Sequence, residues 1–457
     1  ALETGKTLQT VAQPKQKIAV LGGGIGSLTT VYGITQDPDW QQKYEITLYQ
    51  MGWRLGGKGA SGRNRDIADR IEEHGLHIWF GYYDNAFALI QNCYAELARS
   101  NNAPLATWDQ AFKPHNTIVV EEYVDQEWRT WALSFKPDGE IPGQGETRSD
   151  HPVGFFAHLR ESLACLHQEL TDHIAKSETT RHAVARHFAR GVAHPGESFL
   201  GKVLDVVAKP VEFVIEHEVE RFFASFQRLY ETFPQRKDHF TGQSLRADDP
   251  SHWLDVIGEI KGLVDQVLAP FGEVFDSIRR IVTIVDLALA IAKGILLDGV
   301  LIKGYSAINQ YDFTEWLIRH GATEAAANSA LVRAFYDLYL GFPNGENKIV
   351  GDGVAIGGNV SAGELLHSYV LVNLCYKGAV MWKMQAGMGD VVMTPIYQVL
   401  KQRGVKFEFF NKVTDLRLNA AQQIGEIAID VQATVKPNVA QYNPLYDVKG
   451  LPCWPSA

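Results

Sequence analysis

The run Leu21-Gly22-Gly23-Gly24-Ile25-Gly26-Ser27-Leu28 sits between a short apolar stretch and a helical one. In that position Gly22 permits a tight turn, and Gly24 lets a pyrophosphate approach the backbone. Ile25 opens a helix whose free N–H groups face the phosphates. A G-x-G-x-x-G pattern would place a third glycine where Ser27 stands, and its hydroxyl side chain is small enough for helix to meet strand. A purely structural glycine turn is the competing reading. The next strand ends at Gln50 and Met51, where a carboxylate ordinarily accepts hydrogen bonds from ribose hydroxyls. The Gln50 amide accepts one such bond and donates another without charge. It would also leave a 2′-phosphate unrepelled, so with Arg54 four residues on, an NADP site competes. Arg54, Gly56, Gly57 and Lys58 then form R-x-G-G-K, two cations and two flexible glycines that suit a diphosphate. A solvated basic loop is the bland alternative.

The elements that must carry these residues follow from periodicity. Lys17 to Leu21 reads as a strand, the next stretch to about Thr35 as a helix, and Glu45 to Tyr49 as a second strand, the opening of a parallel doubly wound sheet. A helix is expected over about Asn85 to Arg99, and a hairpin over residues 117–135 with its turn at Asp125-Gln126. KPDGEIPGQG marks a boundary. From about Phe155 to Phe342 the spacing is mostly helical, with breaks at HPGES, near Pro234, at DDPSHW and near Pro270. The glycine-rich VGDGVAIGGNVSAGE ends this insertion, and Leu365 to Met384 reads as helix. AGMGDVVMTPIYQVLKQRG predicts a turn and an amphipathic helix, VKFEFF a strand, and Val413 to Leu418 with Ile424 to Val431 a strand pair. No internal repeat is visible.

With 46% hydrophobic and 21% charged residues in 457, the composition is that of a globular chain of two or three structural units. The net charge of −10 would on average repel a nucleic-acid backbone. Cys93, Cys165, Cys375 and Cys453 fit neither a redox pair nor a zinc cluster, so no metal is expected. They read as reduced thiols of an intracellular, cytoplasmic protein. The first seventeen residues lack the apolar core of a secretory signal, although a chain starting at Ala could already have been trimmed. Ile281 to Ile302 is interrupted by Asp286, Lys293 and Asp298 and is too broken to span a membrane. A buried insertion helix is the plain reading. The sharper one is a surface that dips into a membrane to collect a lipophilic substrate, making the protein peripheral.

The R-x-G-G-K run resembles that of the flavin-containing amine oxidase superfamily, where it holds the FAD pyrophosphate and sugar. EEHGLHIWFGYYDNAF, residues 72–87, resembles the carotenoid (phytoene) desaturase branch, with Gly75, Leu76, His77, Phe80, Gly81, Tyr82 and Asn85 matching in order. In that branch the stretch lies near the flavin. GMGD with its helix and VKFEFFNKVTDLRL are also similar, and Val413 matches the valine whose backbone meets the adenine. The resemblance covers about residues 15–90 and 365–435. The helical middle fits loosely, with INQYDFTEWLIRHGA marking the substrate domain's descent toward the flavin. The superfamily's last glycine-acid motif finds no match after Val431, where NPLYDVKGLPCWPSA lies. The expectation is a missing or separate C-terminal polypeptide that completes the flavin site; a fragment, or a flavin ring held differently, are the alternatives.

The resemblance implies an α/β fold: a Rossmann-like FAD-binding domain, residues 1–100, a mostly helical substrate insertion, 101–350, and a return segment, 351–457, with a small antiparallel β portion. It implies an FAD-dependent oxidoreductase that abstracts hydride from an amine, an amino acid or an apolar lipid or isoprenoid. An FAD-dependent isomerase of unsaturated lipids and a non-catalytic nucleotide-binding subunit are the alternatives. His77 is the candidate acid/base, against a satisfied core histidine. Trp79, Phe80, Tyr82 and Tyr83 either wall an apolar site or form core. The expected partner is a small-molecule substrate, and an oligomer is compatible with the sequence.

Overall fold

The computed structural model describes residues 15–124, 126–152, 154–155, 250–265, 276–342, 349–350, 353–354, 358–439 and 441–457. The helical reading of residues 156–249, the breaks at HPGES, Pro234 and Pro270, Cys165, and most of VGDGVAIGG lie outside them. Two compact units emerge. One joins the chain up to Asn116 with Lys136–Thr147 and Tyr376–Ala457, and the other joins Thr117–Phe135 with Arg148–Cys375.

The first unit is built on a parallel sheet. Strand Gln16–Leu21 pairs in register with Tyr44–Gln50, from Gln16 opposite Tyr44 to Leu21 opposite Tyr49. Lys406–Phe409 adds on the far side, with Phe409 opposite Gln50. Parallel neighbours need a crossover, and the helix Ile25–Ile34 supplies it. Its Leu28, Val31 and Tyr32, at helical spacing, are buried with Ile46 and Leu48 of the second strand and with Ile396, Val399 and Leu400 of the helix Thr394–Gln402. This mixed α/β, Rossmann-like unit gathers a strand more than 350 residues from the first two.

The apolar run from Leu365 does not stay helical. Its helix, Ala362–Leu374, stops before a turn in which Gly378 has φ +70, and Met381–Met384 then forms a strand between Trp79–Phe80 and Phe112–His115. The physical reason is that the strand is only four residues long, with Trp382 alone buried, so an apolar run this short carries no period that separates helix from strand. The buried Lys377 pins the turn by donating to the Gln144 carbonyl at 2.8 Å and pairing with Asp84 at 3.1 Å. The KPDGEIPGQG segment thereby belongs to this unit.

In the second unit the expected hairpin forms, Thr117–Val124 against Glu127–Ser134. The helix Asp276–Leu297 buries Val285, Leu289, Ala292 and Ile295, and Gly299 at φ +71 separates it from Val300–Lys303. Its Asp286, 1% exposed, accepts from the Thr323 amide and hydroxyl at 2.8 and 2.7 Å and pairs with Lys261 at 2.9 Å. The interrupted apolar run is thus an interior helix whose charge is partnered within the fold. Within INQYDFTEWLIRHGA, Asp312 caps the helix Phe313–Arg319. No helix of the described residues is long and apolar enough to cross a membrane.

The three described cysteines, Cys93, Cys375 and Cys453, are buried. Burial pushes the Cys93 and Cys453 thiols up to about 12, far from the thiolate form that alkylates. Mass-spectrometric counting of iodoacetamide adducts at pH 8 should therefore find both unlabelled in the native protein and labelled after unfolding in urea.

Candidate functional site

Four short segments meet in the first unit, and glycines decide how closely. Gly22 adopts φ +92, a conformation only glycine takes without strain, and its amide donates to the Tyr49 carbonyl at 2.8 Å. The turn therefore leaves the first strand while still tied to the second. Gly23 faces inward: a Cβ there would lie 2.3 Å from Leu55 Cδ2 and 2.9 Å from Gln50 Oε1. The motif reading passed over this middle glycine, because only the packing of two remote segments makes it obligatory. At Gly24 and Gly26, by contrast, a Cβ would meet nothing within 4 Å. Gly24 caps the helix, whose first bond runs from the Leu28 amide to the Gly24 carbonyl at 3.0 Å. The amides of Ile25, Gly26 and Ser27 thus stand outside the helical ladder, at the positive end of its dipole.

The R-x-G-G-K run closes onto this turn through main-chain atoms. The Gly56 amide donates to the Gly23 carbonyl at 2.8 Å, and Gly24 and Gly56 form a parallel bridge. Gly56 has φ +118, and its Cβ would sit 2.8 Å from the Ala60 Cα; a Cβ on Gly57 would come within 3.2 Å of the Gly24 Cα. Gln50 also supports the turn. Its side-chain carbonyl accepts from the Gly23 amide at 2.8 Å, so it braces the turn. Met51 is exposed beyond it.

Arg54 is half-buried, and its nearest polar partners are weak. It reaches the Ser456 carbonyl and His74 Nε2, each at 3.4 Å, and lies 5.5 Å over the Trp53 ring. Among the described residues no carboxylate pairs with it. Burial pushes its guanidinium down from the ordinary value, against the field of Glu72. A half-buried cation without a paired carboxylate, in the loop whose Gly56 bonds to Gly23, favours an incoming anion. Lys58 is exposed on the following turn.

Gly75 and Leu76 are exposed in the adjoining loop, Leu76 by 78%. His77 is half-buried, its Nδ1 3.1 Å from Glu73 Oε2, while Glu73 Oε1 accepts from the Met388 amide at 2.8 Å. This carboxylate links the G-L-H stretch to GMGD. Trp79 and Phe80 are core, the Trp79 ring standing edge-on to Phe87 at 5.1 Å, whereas Tyr82 and Tyr83 are half-buried. Val413 lies half-buried opposite Ile429 in the hairpin Asn411–Leu418/Ile424–Val431. The Phe410 amide, 3.3 Å from the Gly52 carbonyl, brings the start of that hairpin to the end of the second strand.

Below the cradle lies a charge pair that sequence reasoning missed. Asp390 of GMGD, 1% exposed, accepts from Arg63 Nε at 2.9 Å and pairs with Arg63 Nη2 at 2.8 Å. The Gly389 amide donates to Ser61 Oγ at 2.6 Å, and a Cβ on Gly389 would lie 2.6 Å from the Ser61 carbonyl. GMGD therefore docks on the strand Ser61–Asn64 immediately after R-x-G-G-K. Burial pushes the Asp390 carboxyl up, and Arg63 pulls it back. The only legible signal was GMGD itself; its partner stands 327 residues away. The NPLYDVKGLPCWPSA stretch forms a hairpin, Tyr446–Val448 with Leu451–Cys453, that leads Trp454 into the core. No group of three or more metal-ligating side chains occurs among the described residues.

Residues 20–93 match the family model of an NAD(P)-binding Rossmann-like domain. Over 86 residues the chain is 33% identical to the chloroplastic/chromoplastic zeta-carotene desaturases of Solanum lycopersicum and Arabidopsis thaliana, and 34% identical to that of Zea mays. These matches cover 18% of this chain and 13 to 14% of those proteins, about one seventh of their length. The family match on residues 20–93 and the similarity to these desaturases together support a Rossmann-like dinucleotide-binding domain and an oxidoreductase.

Proposed function

We propose that this chain is an FAD-dependent oxidoreductase that takes hydride from a carbon of an amine, an amino acid or an apolar lipid or isoprenoid. The observation that supports the reading is a turn whose Gly24 and Gly26 leave open space and whose helix amides are free, closed by a loop that carries the half-buried Arg54 without a paired carboxylate among the described residues. These residues fit a diphosphate. Gly22, Gly24, Ile25 and Ser27 would face the phosphates, with Arg54, Gly56, Gly57 and Lys58 closing the loop over them. Val413, near the end of the second strand, would take the adenine side with Met51.

When bound, FAD supplies the hydride-accepting chemistry, and the chain supplies position and electrostatics. Gly75, Leu76 and His77 would lie toward the flavin. Glu73, anchored on the Met388 amide, favours the His77 tautomer that is protonated at Nδ1, which leaves Nε2 to accept or return a proton at the substrate.

The visible spectrum of the purified protein tests this. Oxidised-flavin bands that fade on anaerobic addition of substrate are expected. Peroxide release across an amine and amino-acid panel would select the oxidase branch, and product formation from an apolar polyene with an added quinone would select the desaturase branch. A chain that takes up no FAD on reconstitution yet binds NADPH would overturn the reading.

A further inference from the structure

We infer that Gly62 and the segment Trp454–Ser456 form a positioning device for Arg54, holding its guanidinium ready for a diphosphate; this rests on the cofactor reading above. The segment runs as a third rail beside the strand Ser61–Asn64. The Arg63 amide donates to the Trp454 carbonyl at 2.7 Å, the Ser456 amide donates to the Arg63 carbonyl at 2.9 Å, and Arg63 and Pro455 form a parallel bridge. Trp454, fully buried, anchors the rail, its ring 5.4 Å from that of Tyr397. Two carbonyls of the segment then meet the R-x-G-G-K loop: Pro455 accepts from Trp53 Nε1 at 3.1 Å, and Ser456 from Arg54 Nη1 at 3.4 Å.

Gly62 is what lets the three come together. A Cβ there would lie 2.6 Å from Arg54 Nη1, 2.6 Å from the Pro455 carbonyl and 2.6 Å from the Ser456 Cα. The nearest carboxylate in the field of Arg54, Glu72, is engaged by Asn64 at 2.8 Å and Arg70 at 3.1 Å. Arg54 is therefore met by one neutral carbonyl, that of Ser456, and by the His74 ring, and by no paired carboxylate among the described residues. Such a contact fixes direction while leaving the cation's attraction for an anion intact.

The test compares two ligands that differ by the diphosphate. The full chain is titrated calorimetrically with ADP and, separately, with adenosine, in wild type, Gly62→Ala and Ser456→Pro. The last removes the amide that donates to Arg63 at a half-buried position, so it decides the matter should Gly62→Ala not fold. Wild type should prefer ADP, and each folded variant should lose about tenfold in ADP affinity with adenosine unchanged. ADP affinity unaltered in the folded variants, or ADP and adenosine weakened together, overturns the positioning role while leaving the cofactor reading in place. Wild type that binds neither ligand removes both.

Discussion

Gly24→Ala is expected to keep its stability within about 0.5 kcal/mol of wild type while weakening FAD roughly thirtyfold, about 2 kcal/mol. The two effects separate because the new methyl group meets no protein atom within 4 Å and the residue's φ of −72 suits alanine. On the proposed reading, the methyl group would project into the space that a pyrophosphate needs against the backbone at the head of the helix. Gly56→Ala is the contrasting control. At φ +118, with the Ala60 Cα only 2.8 Å from the added carbon, it should cost about 2 to 4 kcal/mol in urea unfolding. Fluorescence titration with FAD beside urea melts of both variants checks the pair. Equal loss of fold and of affinity in Gly24→Ala would show that the open space belongs to the protein and not to a ligand.

The second large effect is expected at Asp390. Removing the carboxyl in Asp390→Ala strands the Arg63 guanidinium, whose side chain is 15% exposed, and should destabilise the first unit by about 3 to 5 kcal/mol. Asp390→Asn keeps an acceptor for Arg63 and for the Gly387 amide, 3.1 Å away, and should lose less. The pH dependence carries a sign. Burial holds the folded carboxyl above the ordinary 3.8 at which the unfolded chain titrates. Between those two values the folded state binds more protons, so the contribution of Asp390 to stability is full below 3.8 and falls as pH rises toward the folded value. The Asn variant has no such slope, and its deficit relative to wild type should narrow as pH increases through that window. Urea unfolding at a series of pH values measures it; a deficit that widened would mean that Arg63 outweighs burial.

What could be read in the letters was what neighbours in the chain decide. The strand, glycine turn and helix from Gln16 to Ile34 lie within about twenty residues, and each carries its own signal in spacing and turn chemistry. The hairpin over residues 117–134 was legible for the same reason. The helical reading of residues 365–384 went astray after Leu374, because the four-residue strand Met381–Met384 is too short to show a period that separates strand from helix. Gly23, Gly62 and the Arg63–Asp390 pair stayed hidden because each acquires its meaning from contact with a distant segment. Gly23 needs Leu55 above it, Gly62 needs Pro455 beside it, and Arg63 needs a carboxylate that arrives only after the second unit has intervened. Gln50 shows the converse: its position was legible, whereas the bond from the Gly23 amide to its side-chain carbonyl was not.

The bridge between Gly24 and Gly56 and the bond from the Gly56 amide to the Gly23 carbonyl join atoms common to every amino acid. Such a floor offers evolution nothing to edit except its glycines, of which Gly23 and Gly56 tolerate little change. A lineage acquiring a new ligand preference would inherit the floor intact and alter the rim, where Met51 and Leu76 carry exposed side chains free to diversify.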